Sequence, residues 1–594
     1  MRFLCALLGL LYWVGGLQLC RCQNLAEYRE HLHLQPLTTA DILASFHFQS
    51  NSTQTAFDKQ DFRYLPRALG QILQFTHTEE LHLRFSYGRW NAELWGERPW
   101  YGTKEGGTGV ELWAWIDGSN SAQIEDRWKL LTNSLSGQFC ASINFIDSTR
   151  TTRPQFSFQH DGAGTKKTSK STAQLRHGSL PREVVCTENM TPILKLLPCK
   201  GKAGIASLLE GHRPFDASWQ TMAIDVQPIC STDGGECVVQ LDITLDMVMD
   251  IERAKRQSQQ DPIPRPSLME HIRCDPSKSD GSGQDCFPID DYRLPGWTIH
   301  EIFGRGIQGS CPADESGQAP FCLRVSEDAV IRPTRAAKKD ELEPPKDLQC
   351  FDISPGEVFD LTFLHEQQKD RLASLHPAGL YAARTMNGQG QESGSMEVTI
   401  ENPTNATIIV DYMESLPWFL KAYVHTLQVR ERNGLSQGSQ KLLRNMYYRP
   451  HQDRARGSQI ELKLQILPLS TVIITYDFEK AILRYTEYPP DANRGFDVPA
   501  SVISYTDPAG RKHEIRTTPL LLPLPTPDFS MPYNVIILTS TVIALAFGSI
   551  FNPMVRRFVA ADEAEGLSIA AVRAEILSSI QRVLRRFQAR GKVD

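Results

Sequence analysis

Three polar side chains crowd the mouth of an apolar run. In LPTPDFSMPYNVIILTSTVIALAFGSIF, from Leu524 to Phe551, an acid (Asp528), a hydroxyl (Ser530) and an amide (Asn534) stand where an apolar stretch begins. Apart from Tyr533, that stretch carries no ionisable side chain. If it is a helix, its first N–H groups lack partners and its dipole leaves the N-terminus positive, so an anionic group is favoured there. A carboxylate, a hydroxyl and an amide also suit sugar hydroxyls and an ammonium group. Two readings stay open at this level. Either Ser530 or Asp528 caps the helix, worth ~1 kcal/mol, with Asn534 bonded to a neighbouring helix, or the three bind a lipid head group. Capping accounts for one polar residue more readily than for three.

Elsewhere the chemistry is sparse. Cys140, in GQFCAS, lacks the sequence context of the common cysteine-protease classes and reads as a buried or disulfide-bonded thiol. Asp290 and Asp291, beside Pro288 in a polar segment, read as a solvated pair. With fifteen histidines many Ser/His/Asp triplets could be drawn, yet no nucleophile elbow, metal-binding helix or phosphate-cradling loop is present. No catalytic residue, metal or cofactor is therefore expected. The net charge of −6 argues against a nucleic-acid partner.

The elements that must position these residues begin with the membrane. The apolar run at 533–554 is long enough to cross a hydrocarbon core of ~30 Å. Arg556 and Arg557 follow it, which puts the basic tail, 555–594, in the cytosol. Residues 1–22 read as a cleaved signal peptide. The chain is then a type I single-pass protein; a GPI-attachment signal would have to end the chain, and a charged tail follows instead. In that tail Ile569, Val572, Ile576, Ile580, Val583 and Phe587 recur at three- and four-residue steps beside Arg573, Arg582, Arg585 and Arg586, the pattern of a basic amphipathic helix. Sequons at Asn51, Asn189 and Asn405 all fall on the proposed luminal side. Ten of the thirteen cysteines lie beyond the signal peptide, where several should form disulfides.

Composition, 41% hydrophobic and 22% charged over 594 residues, leaves material for more than one core. The expected fold is β-rich (α+β), of antiparallel β-sandwich type with some helices, plus one transmembrane helix. Residues 23–254 form its α+β region. There RYLPRALGQILQFT has helical spacing, and ELHLRFSYG alternates Leu81, Leu83, Phe85 and Tyr87 as a strand with one buried face. VELWAWI is apolar on both faces, and DRWKLLTNSLSG reads as a helix entered at Asp126. Residues 255–346, rich in Pro, Gly and Ser and holding four cysteines, read as disulfide-stapled loops. Residues 347–518 carry SMEVTIEN, TIIVDYM, KAYVHTLQVRE, IELKLQIL and TVIITYDFEKAIL, a run of antiparallel strands. A Pro-rich stalk, 519–532, leads to the membrane.

Five longer strings are distinctive: LSGQFCASINFIDST, LPREVVCTENMTPILKLLPC, LPWFLKAYVHTL, ILRYTEYPPDANRGF and LPTPDFSMPYNV. Together they resemble the PIG-T family, the large luminal single-pass subunit of the GPI transamidase complex of the endoplasmic reticulum. The resemblance implies a non-catalytic subunit. A separate caspase-like cysteine-protease subunit would cut the proprotein substrate and transfer its new carboxyl terminus to the ethanolamine amine of GPI. Expected partners are that subunit, multi-spanning membrane subunits, proprotein substrates and the GPI glycolipid. The resemblance further implies that Cys186, in VVCTEN, bonds the catalytic subunit covalently. An internal bridge, for instance to Cys199, stays open, and an even count of luminal cysteines favours it unless another thiol stays free. Asn493, otherwise a turn residue, is implied with Asp528, Ser530 and Asn534 in contact with the GPI glycan head. A type I receptor or folding factor of the secretory pathway is the alternative from another class. Co-purification with a caspase-like chain and multi-spanning subunits separates the two.

Overall fold

The alternation of Leu81, Leu83 and Phe85 sits in a ten-stranded sheet that organises the first half of the chain. The computed structural model describes residues 27–37, 41–159, 172–230, 237–258, 272–275, 285–288, 296–314, 319–324, 330–333, 348–364, 377–388, 392–432, 442–489, 491, 493–526, 530–556 and 569–590. The sheet is built from β1 (Tyr28–Pro36), β2 (Asp41–Thr53), β3 (Thr78–Gly88), β4 (Gly109–Ile116), β5 (Thr151–Thr152), β6 (Gln174–Leu180), β7 (Trp219–Ile229), β8 (Val238–Asp250), β9 (Phe321–Arg324) and β10 (Leu348–Phe351). Their spatial order is β10-β9-β1-β2-β8-β7-β3-β4-β6-β5. Every neighbouring pair is antiparallel except β1 and β9, which run parallel with Leu32 opposite Phe321. Residues 321–324 belong to the segment read as loops; they form a strand because Phe321 and Leu323 bury their side chains in the sheet's core.

Helices cover one face. Leu69 and Leu73 of α1 (Arg67–Thr76) share a core with Ile124, Trp128, Leu131 and Leu135 of α2 (Ser121–Phe139) and with Leu81, Leu83, Leu112 and Ile116 of the sheet. Helix α2 starts at Ser121 rather than Asp126, because Asn120 Oδ1 accepts the Gln123 N–H at 2.9 Å and caps the helix earlier. It stops where Cys140 adopts a left-handed φ of 51°, a C-terminal position more often given to glycine.

The opposite face of the sheet is also buried, although its residues are polar. Arg84, Ser86 and Glu111 are all but inaccessible. Segment 96–108 lies across them: Arg84 Nη2 donates to the Thr103 carbonyl at 3.1 Å, Lys104 Nζ to Asp225 Oδ2 at 2.6 Å, and the Gly106 N–H to Ser86 Oγ at 3.1 Å. The one-buried-face reading of β3 is thus corrected, and Tyr87, expected inside, is exposed. Alternation locates one face of a strand but says nothing about a second layer that arrives from elsewhere.

That layer is completed by the second half. Strands β11 (Tyr381–Asn387), β12 (Ser393–Asn402), β13 (Ile408–Leu416), β14 (Leu420–Glu431), β15 (Leu443–Arg449), β16 (Ser458–Ile466), β17 (Ser470–Lys480), β18 (Val502–Thr506) and β19 (Lys512–Arg516) form two antiparallel sheets. Their orders are β11-β12-β17-β14 and β15-β16-β13-β18-β19. Val398, Ile400, Val410, Leu462, Leu464 and Ile474 fill the core they share. Met413 and Val502 pack against Trp113 and Trp115 of β4. Glu461, buried on β16, accepts the N–H groups of Gln155, Phe156 and Ser157 at 2.7, 2.7 and 3.2 Å. Both halves, to Pro525, belong to one compact unit.

A second unit begins at Thr526. It holds α4 (Ser530–Val555) and α5 (Ile569–Arg590). The stretch Tyr533–Val555 has a mean hydropathy of 2.0 and is, among the described residues, the helix long and apolar enough to cross a bilayer. The helix starts before residue 533 because Pro532 falls in its first turn, where no backbone N–H is needed.

Candidate functional site

Among the described residues six cysteines form three disulfides: Cys199–Cys311, Cys230–Cys237 and Cys322–Cys350. In the hairpin of Ile272–Asp275 and Asp285–Pro288 the backbone register sets Cys274 opposite Cys286. Cys140 and Cys186 are free thiols. Cys186 is therefore not bridged to Cys199. Cys140, expected buried or bonded, is exposed and unbonded, because the left-handed turn that ends α2 carries it to the surface.

The two thiols occupy one junction. Cys186 is the N-cap of α3 (Thr187–Leu196), and Asn189 stands at the third helical position. Asn189 Oδ1 accepts the Cys186 N–H at 3.0 Å, while Nδ2 donates to the carbonyls of Phe139 and Cys140 at 3.1 and 3.2 Å. One buried carboxamide thus ties the start of α3 to the end of α2. A second tie runs from the Ser142 N–H to Glu183 Oε1 at 2.6 Å. Phe145 and Val184, from the same two loops, are 64% and 73% exposed, an apolar surface of the kind that partners cover. A partly exposed thiol held on a fixed helix end can exchange with an incoming thiol or disulfide.

The sequons differ in setting. Asn189 is 1% exposed with both ends of its amide engaged, Asn51 lies in β2 at 9%, and Asn405 is exposed in a bend. Sequence reasoning took Asn189 for a sequon and missed its bonding. An amide three residues into a helix start is a signal for such a box.

The lipid-site candidates fall in both units. Asn493 is exposed in a turn of the first unit. The same unit holds the Tyr488 hydroxyl on the Pro525 carbonyl, which ties the loop before Asn493 to the Pro-rich segment at Pro525. Ser530 opens α4, and Asn534 is exposed near its start. Asp528, the signal peptide and the Asp290/Asp291 pair lie outside the described residues.

One constellation imitates a catalytic triad. His177 Nε2 meets Glu111 Oε1 at 3.0 Å, and its Nδ1 meets Thr152 Oγ1 at 2.9 Å. All three are buried. Glu111 and His177 line a cavity of only 10 Å³, room for about one water. Burial pushes the Glu111 carboxyl up, but Arg516 and His177 outweigh it and hold the group at about 2. His82 sits likewise between Asp225 (2.5 Å) and Glu80 (2.7 Å); burial favours its neutral ring, and the bond to Asp225 reverses that and raises it. These are ionic ties beneath a second layer, with no space for a substrate. Among the described residues no group of three His, Cys, Asp or Glu is placed to hold a metal.

Among the described residues, a large strand-rich unit followed by one helix apolar enough to span a bilayer fits a single-pass membrane protein. The family model described as "Gpi16 subunit, GPI transamidase component" matches residues 13–581. The chain is 36% identical to GPI transamidase component GPI16 of Saccharomyces cerevisiae, covering 91% of this chain and 90% of that one. It is 34% identical to the GPI transamidase component PIG-T homolog of Schizosaccharomyces pombe, covering 90% of each. With the GPI-anchor transamidase component PIGT of Homo sapiens it shares 32%, covering 89% of this chain and 90% of the human one. The chain belongs to the Gpi16 family.

Proposed function

We propose that this chain is the non-catalytic subunit that holds a caspase-like catalytic subunit through an interchain disulfide at Cys186 and helps to bind the GPI glycolipid. The observation that carries the reading is the state of Cys186: a free, partly exposed thiol at the capped end of α3, in a family of transamidase components. Cys186→Ser is expected to abolish the covalent heterodimer on non-reducing electrophoresis. A heterodimer that survives the substitution rejects the assignment.

Asn493, Asp528, Ser530 and Asn534 are proposed to meet the glycan head. Support comes from their chemistry and from the exposed start of an apolar helix, whose free N–H groups favour a phosphate. Asp528→Ala combined with Asn534→Ala should lower GPI-anchored protein at the cell surface while the catalytic subunit still co-purifies. Normal surface levels, or a complex that comes apart, would count against it.

The first unit is placed in the lumen of the endoplasmic reticulum and the tail in the cytosol, since Arg556 and Arg557 follow the apolar helix. On that orientation Asn405 is the sequon open to a glycan, while Asn189 is committed to bonds. Mass spectrometry after glycosidase digestion should find the Asn405 peptide converted and the Asn189 peptide unmodified. A glycan on Asn189 would mean that the α2–α3 junction forms after modification and in another way.

A further inference from the structure

We infer that Cys140 and Cys186 are a working pair: an intramolecular disulfide in the unassembled chain, exchanged for the interchain bond when the partner arrives. The inference rests on Cys186 being the interchain cysteine and assigns the second thiol its part.

Two independent observations lead here. The first is the accounting. Six cysteines are bonded within the chain, and Cys274 and Cys286 stand opposite each other in register. That leaves Cys140 and Cys186, the two free thiols among the described residues. An interchain bond at Cys186 needs one thiol left over, and Cys140 is that thiol. The second is placement. The two leftover cysteines, far apart in sequence, have their backbones tied to one buried carboxamide, that of Asn189, which bonds the Cys186 N–H and the Cys140 carbonyl. The Ser142–Glu183 bond clamps the same two loops. Cys140 is exposed and Cys186 half-buried.

The chemistry balances in two steps. A protein disulfide of the secretory pathway oxidises the pair: the two thiols lose their hydrogens and form the Cys140–Cys186 bond, and the donor is reduced to two thiols. The partner's thiolate then attacks Cys186 Sγ. The bond to Cys140 breaks, Cys140 leaves as thiolate and takes up a proton, and the interchain disulfide remains. Assembly itself consumes no oxidant, because the disulfide that the partner's thiolate attacks is already formed. Cys140 is the leaving group and ends free, as its exposure allows.

The test uses the full-length chain in cells with and without the catalytic subunit, quenched in acid and alkylated before digestion. Without the partner, mass spectrometry should find a Cys140–Cys186 linked peptide; with it, Cys140 should be alkylated and Cys186 linked to the partner. In a pulse-chase, Cys140→Ser should slow formation of the covalent heterodimer several-fold. Alkylation of both cysteines in the unassembled wild-type chain, or an unchanged rate in Cys140→Ser, overturns the inference. The wild-type peptide readout does not depend on how the variant folds. A heterodimer that persists in Cys186→Ser would instead reject the interchain assignment, a separate failure.

Discussion

Replacing Glu414 by Leu is expected to destabilise the sandwich by about 3–5 kcal/mol. Glu414 on β13 and Arg384 on β11 are both fully inaccessible, with Nη1 and Oε1 2.8 Å apart. Oε2 of Glu414 accepts the hydroxyls of Tyr412 and Tyr476 at 2.8 and 2.7 Å. Burial first, then the Glu414 charge, keeps both phenols protonated far above the ordinary range. Arg384 also reaches Ser501 Oγ at 2.9 Å and the Pro499 carbonyl at 2.5 Å, so it stays in place when Glu414 is gone. A leucine would leave a buried cation without its countercharge, the Tyr476 hydroxyl without its acceptor and Tyr412 with Ser501 Oγ alone, 3.1 Å away. Thermal unfolding of the detergent-purified chain should show a clear fall in Tm for Glu414→Leu and a partial recovery when Arg384→Met is added, because a matched apolar pair carries no uncompensated charge. An unchanged Tm in the single variant would show that water reaches the site.

Arg516→Met should cost a similar amount, about 3–5 kcal/mol, at the joint between the two halves. Arg516 Nε lies 3.2 Å from Glu111 Oε2, and its Nη1 lies 2.8 Å from Glu514 Oε2 and 3.1 Å from the Gly102 carbonyl. Methionine would leave Glu111 and Glu514 buried without their shared cation. The joint is charged at neutral pH: Glu111 is depressed in the folded chain, so its contribution is complete above the ordinary value of 4.5 and is lost only as pH falls towards about 2. Hydrogen exchange distinguishes a joint from a general core effect. Amides of Gln155, Phe156 and Ser157, which bond Glu461 across the joint, should lose protection in Arg516→Met while β12 and β17 keep theirs. Uniform loss would mean that the halves do not part separately.

The strands of the sandwich were legible because each alternates apolar and polar residues, as in Ile460, Leu462, Leu464 and Ile466, all buried. The membrane helix was legible because nothing charged interrupts it. What escaped was the polar side of those same strands. Glu461 is one of the polar partners in IELKLQIL and Glu111 lies within a stretch read as apolar on both faces; each is buried by bonds to residues hundreds of positions away. The start of α2 was misplaced because Asp126 and Asn120 are both plausible caps, and only the Gln123 bond distinguishes them. At the thiol junction the cysteines were visible as residues. Their neighbourhood was not, since it depends on an asparagine whose sequence context advertised a glycan.

The parallel pairing of β1 with β9 has a consequence for biosynthesis. Residues 28–36 leave the ribosome long before residues 321–324, and β2 can pair with one side of them almost at once. The other side stays open until Phe321–Arg324 has been made. At about 5–20 residues per second that edge, with Leu32 and Leu34 beneath it, waits roughly 15–60 s while most of the sheet accumulates. Only after Leu348–Phe351 follows can Cys322 and Cys350 close across β9 and β10. Throughout that interval the nascent chain offers an unpaired strand to any chaperone, or to any other nascent chain, within reach.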